Sequence, residues 1–397
     1  MKILAHAPFI GTTGYANHAR SFFTALNKYH QVKVRNLTVG GSWSGYNNTP
    51  HDGESYITDE MKEMLHQQTL INGDNSRTDY PIYGHDPNFI PDVHIVLMEN
   101  NSHYYYDNYE GYKIAYCVWE STRFSDSFFK RLLTFDEMWV PSKWQRDCTI
   151  AQGYDPKKIK VVPEGVDVDT FYPEKVELLD EYTDGRFKFL LMGRWDYRKS
   201  TKEIIETFLK TFKPEEPVDL IVSIDNMWGE EMDGYKTTEE RLNAYGFIDP
   251  RIKIIHFPSR EDYVKYLKTG HVFVSCARSE GWNLPLIEAM ACGTPSIYSN
   301  CCAQLEFAEG KGFPVNIIGE KTANSNDYGR YVMSELPGNY YEPDFNHLSN
   351  VMRHVYENYD DCKEKSFEEL QVFMRFKFKR EFGFILPKTW TFLGNTI

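Results

Sequence analysis

The chain has 397 residues, above the size at which one hydrophobic core stops growing, so two domains are expected. Its hydrophobic fraction of 41% is ordinary for a soluble protein, and an aromatic share of 15% supplies stacking surface as well as core. With 57 acidic against 44 basic residues the formal charge is -13, which argues against a nucleic acid partner and leaves at most peripheral membrane contact.

Short apolar runs alternate with amphipathic stretches, the pattern of strand and helix units on a parallel sheet. The opening "KILAHA" predicts a strand rather than a signal peptide, because the chain turns polar within a few residues. It continues through "HAPFIGTTGYANHARSFFTAL", strand to glycine loop to helix, where Gly11 and Gly14 allow close backbone approach to a ligand. That spacing is not G-x-G-x-x-G, so a nicotinamide enzyme is a minor alternative. "HQVKVRNL", "DVHIVLM", "YKIAYCV", "EMWVPS" and "KIKVVPEG" read as the remaining strands of a first domain, residues 1–172. Between 40 and 92 the abundance of Gly, Asn, Asp and Tyr predicts an insertion or long loop region.

The polar run "DVDTFYPEKVELLDEYTDGR" marks the boundary, and the D-x-D in it is read as structural. A second domain, 173–372, carries strands at "FKFLLMG", "DLIVSI", "IKIIHF", "HVFVSC" and "TPSIYS", with helices at 201–213 and 285–292. The fold class is therefore α/β, two Rossmann-like, doubly wound parallel-sheet domains. The tail alternates Phe with Lys and Arg, which fits membrane or phosphate contact, but a terminal helix is the preferred reading, with 373–397 packing back on the first domain. Seven cysteines form no C-x-x-C pair and no Cys/His metal spacing; they are expected as reduced thiols of a cytoplasmic protein, mostly in cores, with no metal. No segment has the apolar length to span a bilayer, so the sequons at Asn36, Asn47 and Asn100 are expected to carry no glycan.

Three stretches carry chemistry. In "SEGWNLPLIEAMACGTPS" a strand gives way to a loop and then a helix, with Pro285 in its first turn and Asn283 or Leu284 as cap. Such a helix start offers amides and a positive dipole end to a phosphate. Glu288 is not explained by capping, because the capping-box position is the apolar Leu286. Glu288 and Glu280 are instead suited to accept hydrogen bonds from vicinal hydroxyls, Glu288 on a ribose and Glu280 on a hexose. In "MGRWDYRKSTKEIIETF" the loop after a strand brings Arg194, Arg198 and Lys199, and Ser200 with Glu203 predicts a capping box. Arg194 and Lys199 could clamp a diphosphate and neutralise a leaving nucleotide.

Together these stretches resemble the retaining glycosyltransferases of family 4, which have the GT-B fold of two Rossmann-like domains around a cleft. The resemblance is most specific in "SEGWNLPLIEAMACGTPS", against the family's E-G-x-x-L-P-x-x-E-A-M-A-x-G-x-P, and extends to "MGRWDYRKS" and "VPSKWQRDCTIAQGYDPKKIKVVPEGVDVDTFYP". It implies transfer of a sugar from a UDP- or GDP-linked donor to a hydroxyl of a sugar or glycan acceptor, with retention and without metal. Arg194 and Lys199 would hold the diphosphate, Glu288 the ribose, and Glu280 with the backbone of Gly281, Trp282, Asn283 and Leu284 the donor sugar and phosphate. Gly14 would lie under the phosphates, and backbone around His256 to Pro258, Phe257 among it, would meet the base. Where the family often has a His, this chain has Trp119 and Glu120, which suggests a subgroup with a W-E pair in which Glu120 either makes a catalytic contact with donor sugar or acceptor or forms a buried salt bridge. Ser200 stands where the family usually has Gly, and Glu164 has no assigned role. Alternatives on the same fold are a nucleotide-sugar epimerase or hydrolase, or a non-catalytic sugar-nucleotide-binding protein.

Overall fold

A computed structural model describes residues 1–10, 13–36, 57–66, 70–71, 77–78, 88–97, 111–174, 184–225, 234–256, 260–323, 338–373, 391–392 and 395–396. Most of the expected insertion between 40 and 92, together with Gly11, Asn47, Asn100, Phe257 and nearly all of the tail 373–397, lies outside the described residues.

Residues Met1–Trp119 and Asp126–Gly165 make the body of one compact unit. Its sheet holds β1 (Lys2–Ala7), β2 (Gln31–Asn36), β5 (Val93–Leu97), β6 (Tyr112–Tyr116), β7 (Glu137–Val140) and β8 (Ile159–Val161), while β3 (Leu70–Ile71) and β4 (Arg77–Thr78) form a separate short ladder. The six are parallel in the order β2-β1-β5-β6-β7-β8, with Ala5 opposite Val34 on one side and Ile95 on the other. Its helices are α1 (Gly14–Asn27), α2 (Asp59–Met64), α3 (Asp126–Leu132) and α4 (Lys143–Ala151). Helix α1 forms because its apolar residues recur every three or four positions: Ala16, Ala19, Phe22, Phe23 and Leu26 are all buried. Thr13 caps it by accepting from the Ala16 amide at 3.2 Å. Asn36 pins the loop before it, its Oδ1 accepting from the Phe9 and Ile10 amides at 2.8 and 2.9 Å.

The second unit comprises Glu120–Ser125 and Val166–Arg375. Its strands are β9 (Phe187–Met192), β10 (Val218–Ser223), β11 (Ile252–Ile254), β12 (Val272–Ser275), β13 (Ser296–Ser299) and β14 (Phe313–Val315), followed by an antiparallel pair, β15 (Ile317–Thr322) and β16 (Asn339–Pro343). Its helices are α5 (Thr201–Thr211), α6 (Thr238–Ala244), α7 (Arg260–Thr269), α8 (Leu284–Ala291), α9 (Leu305–Ala308), α10 (Phe345–Glu357) and α11 (Tyr359–Phe373). The parallel order is β11-β10-β9-β12-β13-β14, the 3-2-1-4-5-6 arrangement of a doubly wound sheet. β9, β10 and β12 read as near-continuous apolar runs because helices cover both faces. Phe189, Leu191, Leu220, Val222, Val272 and Val274 enter one core with Ile204, Phe208, Leu348 and Met352. Burying each such side chain contributes about 1.5–3 kcal/mol before chain entropy is set against it.

The expected two-domain α/β class, that of GT-B proteins, is thus the fold, with eleven of its parallel strands at the anticipated runs. The twelfth, β14, was not anticipated: it is three residues long and contains Pro314, tolerated because it is an edge strand. None of the seven cysteines is in a disulfide, and all but Cys148 are buried. Among the described residues no helix is long and apolar enough to cross a membrane.

Candidate functional site

In a doubly wound sheet, ligands bind outside the carboxyl ends of the strands where the order reverses. In the second unit that point lies between β9 and β12, so the loops leaving Met192 and Ser275 converge there. Gly193, at φ 149°, turns the chain out of β9 in a conformation other residues rarely adopt. Beyond it Arg194 pairs with the buried Asp196, Nε and Nη2 donating to Oδ2 at 3.0 and 2.5 Å. Burial pulls the Arg194 pKa down and is the largest single cause, but the Asp196 charge, the Glu120 charge and the hydrogen bond to Asp196 together leave the net shift upward. Asp196 moves the opposite way: burial raises it, while Arg194 and Arg198 bring it below the usual carboxylate range.

The loops meet through charge. Lys199 Nζ donates to Glu280 Oε1 at 2.5 Å, and Arg198 Nη1 lies 3.3 Å from Glu280 Oε2 while donating to the Ser279 carbonyl at 2.7 Å. The other terminal nitrogen of Arg198 is 3.0 Å from Glu120 Oε1. The result is an unbroken row, Glu120, Arg198, Glu280, Lys199, of alternating sign. Arg198 and Glu280 are 4% and 2% exposed, so neither would be stable there alone. Burial lowers the Arg198 pKa, but Glu120, Glu280 and Asp196 together raise it well above its ordinary value.

Arg278 holds the two loops in register. Buried at 2% exposure, it donates to the Tyr197 carbonyl at 2.6 Å, to Ser200 Oγ at 3.1 Å, to Glu203 at 2.9 Å and to both oxygens of Glu342 at 3.2 Å. Its guanidinium stacks 3.9 Å from the Tyr197 ring centroid. This corrects the expected capping box. Ser200 sits at φ 55°, in the left-handed region, and its side chain makes no cap hydrogen bond. Ser200 Oγ and Glu203 are both occupied by Arg278 instead. The left-handed backbone also gives a physical reason for glycine at this position in the family that the loop resembles.

Helix α8 begins as anticipated, with Asn283 as N-cap and Pro285 in the first turn. Asn283 is itself left-handed at φ 81°, which Asn tolerates, and its Nδ2 donates to Ser275 Oγ at 2.9 Å and Gln304 Oε1 at 2.8 Å. Its side chain therefore turns into the protein and does not cap the helix. The start of α8 therefore has no side-chain cap beside the dipole's positive end, although Pro285 carries no N–H and the Leu286 amide already donates to the Asn283 carbonyl at 3.2 Å.

One turn further on, Glu288 is 8% exposed. Its Oε2 accepts from the Tyr263 hydroxyl at 2.6 Å, and Oε1 lies 3.8 Å from Arg260 Nη2. Burial lifts its carboxyl to about 7, although Arg260 and Tyr263 pull the other way. Asp167 is absorbed in a local turn, accepting from the Asp169 amide and the Thr170 hydroxyl at 3.1 and 2.6 Å.

Glu120, Arg194, Lys199, Glu280, Gly281, Trp282, Asn283, Leu284 and Glu288 thus all belong to the second unit. Gly14 belongs to the first, as the opening residue of α1 after β1. Glu164 is also there, 4% exposed; with burial as the larger cause, it raises the Tyr116 phenol. Sequence reasoning gave no role to Arg198, Asp196, Tyr263 or Arg278. Only Arg198, in a loop already rich in cations, carried a signal that could have singled it out.

Residues 180–323 match the family model described as Glycosyl transferases group 1, a stretch that contains both loops and α8. A probable sucrose-phosphate synthase of Thermosipho melanesiensis is 25% identical over 219 residues, 54% of this chain and 43% of that protein. The mannosylfructose-phosphate synthase of Agrobacterium fabrum is 28% identical over 152 residues, 36% of this chain and 33% of its own length. The matched stretch therefore spans less than half of either relative. Among solved structures, HepE of Anabaena in complex with UDP and glucose superposes with a TM-score of 0.66 at 12% identity, covering 96% of this chain and 98% of that one.

Proposed function

We propose that this chain is a retaining, metal-independent glycosyltransferase that moves a hexose from a UDP- or GDP-linked donor to a hydroxyl of a sugar or glycan. The observation that carries the reading is the charged row at the β9/β12 switch point, facing the uncapped start of α8. A diphosphate docked at the start of α8 would draw Lys199 from Glu280 and meet Arg194, so that cations and dipole stabilise the charge that develops as the nucleotide leaves. Glu280 Oε1 is then available to a donor hydroxyl and Glu288 to the ribose. The sugar–phosphate bond breaks as the acceptor oxygen bonds the anomeric carbon on the same face, its proton passing to the leaving phosphate. The glycosyl transferases group 1 match and the likeness to HepE, whose crystals hold UDP and glucose, support this reading.

The test begins with thermal shift against UDP, GDP and their hexose esters, because a ligand that binds only the folded state raises its melting temperature. Product analysis with and without a sugar acceptor follows. Lys199→Met is expected to lower turnover by about 10²–10³-fold, the usual loss of one preorganised charge-stabilising group. Free hexose formed at the full turnover rate would make the protein a hydrolase, and binding without any product would make it a binding module.

A further inference from the structure

Arg198 is nearly sealed from solvent, with 5% of its side chain exposed, and both of its terminal nitrogens are engaged within the protein, Nη1 by Ser279 and Glu280 and Nη2 by Glu120. A buried guanidinium needs its charge balanced and its donors used. Glu280 cannot do this alone, because its two oxygens are divided, Oε2 towards Arg198 and Oε1 towards Lys199. Once Lys199 moves to a diphosphate, an Arg198 lacking another counterion would pull both Glu280 oxygens into a fork. Carboxylates pair with guanidinium preferentially in that way. The oxygen meant for a sugar hydroxyl would then be lost to it.

Asp196 adds negative charge from the backbone side, its Oδ1 accepting from the Arg198 amide, but Glu120 supplies the other carboxylate that meets the guanidinium itself, and the segment that carries it is fixed. The Thr122 amide donates to the Asn339 carbonyl at 3.2 Å, and the Asn339 amide donates to Thr122 Oγ1 at 2.8 Å. Gly338, at φ 84°, lets the chain approach so closely that a Cβ there would stand 2.5 Å from the Arg123 nitrogen. We propose that Glu120 is a positioning residue: it holds Arg198 Nη2 so that Glu280 gives Arg198 only one oxygen and keeps the other for the donor sugar. This rests on the reading of the site as one for nucleotide sugars, and it replaces direct contact of Glu120 with substrate.

The test compares UDP and GDP with their hexose esters by calorimetry. Glu120→Gln is expected to weaken the sugar nucleotide about tenfold, a common loss for a group that orients a ligand-binding side chain, and the bare nucleotide less than about twofold. Glu120→Asp should recover part of the loss. Gly338→Ala, which displaces the supporting segment without touching the charges, should reproduce the same split. Equal weakening of both ligands, or a change confined to the acceptor KM, would overturn the proposal.

A ligand-free measurement separates this from failure of the donor reading. The melting-temperature losses of Glu120→Gln and Glu280→Gln should be non-additive by about 2 °C or more, and additive in an Arg198→Met background. If the protein bound no nucleotide at all, the donor reading would fall and with it the role towards the sugar, while this cycle would still decide whether Glu120 acts on Glu280 through Arg198. Additive losses with Arg198 in place would refute it.

Discussion

Replacing Arg278 by Met would test whether the two site loops are held as described. Met fills much of the volume but leaves the Tyr197 carbonyl, Ser200 Oγ, Glu203 and Glu342 without their donor. Removing one partner of a buried ion pair costs about 3–5 kcal/mol. The lower end applies here, because the Glu203 side chain is 23% exposed and Glu342 keeps Lys321 at 3.1 Å. A unit of roughly 200 residues unfolds with an entropy of about 0.4 kcal/mol per degree, so about 3 kcal/mol lowers its melting temperature by about 7 °C. Scanning calorimetry reads this directly, since the transition of the second unit should move and that of the first should not. Arg278→Lys, which keeps the charge but loses the fork, should fall between. A drop below about 2 °C for Arg278→Met would mean that burying the guanidinium costs as much as its pairings return, and the argument would fail.

At Ser200 the left-handed backbone favours glycine but Oγ accepts from Arg278, so Ser200→Gly, which relieves the strain and loses the bond, should change the melting temperature by less than about 2 °C, whereas β-branched Ser200→Val, which does neither well, should lower it by several degrees in the same scan. Burial drives His18 down to about 3 and, with Lys188 and Lys363, His271 down to about 4. The unfolded chain therefore binds more protons below about 6.5; stability from these groups is full above that pH and is lost as pH falls towards 4, by about 1.4 kcal/mol per pH unit for each. Melting temperature measured between pH 7 and 5 should show that slope, and His271→Gln should reduce it. Glu288 has the opposite sign: with its carboxyl near 7, its contribution to stability is present below about 4.5 and is lost as pH rises through 7. Donor affinity by calorimetry should rise through the same window as the carboxylate forms, and Glu288→Gln should remove that rise.

The parallel strands were legible because fully buried strands are written as apolar runs, as in "FKFLLM", whose last five residues are all buried. β15 was not, since every residue after Ile317 in it is exposed and no alternation survives. In the site, "EGWNLPLIEAM" was legible because it compresses strand end, helix start and carboxylate into one stretch. Arg278 was not, because its partners Glu203 and Glu342 lie 75 and 64 residues away. Ser200 shows how a local rule fails: S-x-x-E spacing fits a capping box, but a tertiary arginine claims both side chains and the backbone turns left-handed.

The start of α8 has a consequence beyond binding. With Asn283 turned inward, no side chain of the fold finishes this helix end, and an anion bound there, as proposed, would complete it. Folding free energy would then become a function of supply: each tenfold rise in free nucleotide above its dissociation constant would add about 1.4 kcal/mol to the second unit. In a cell this would tie the lifetime of the protein to the abundance of that ligand, since a depleted pool would leave more open chain for proteases to cut.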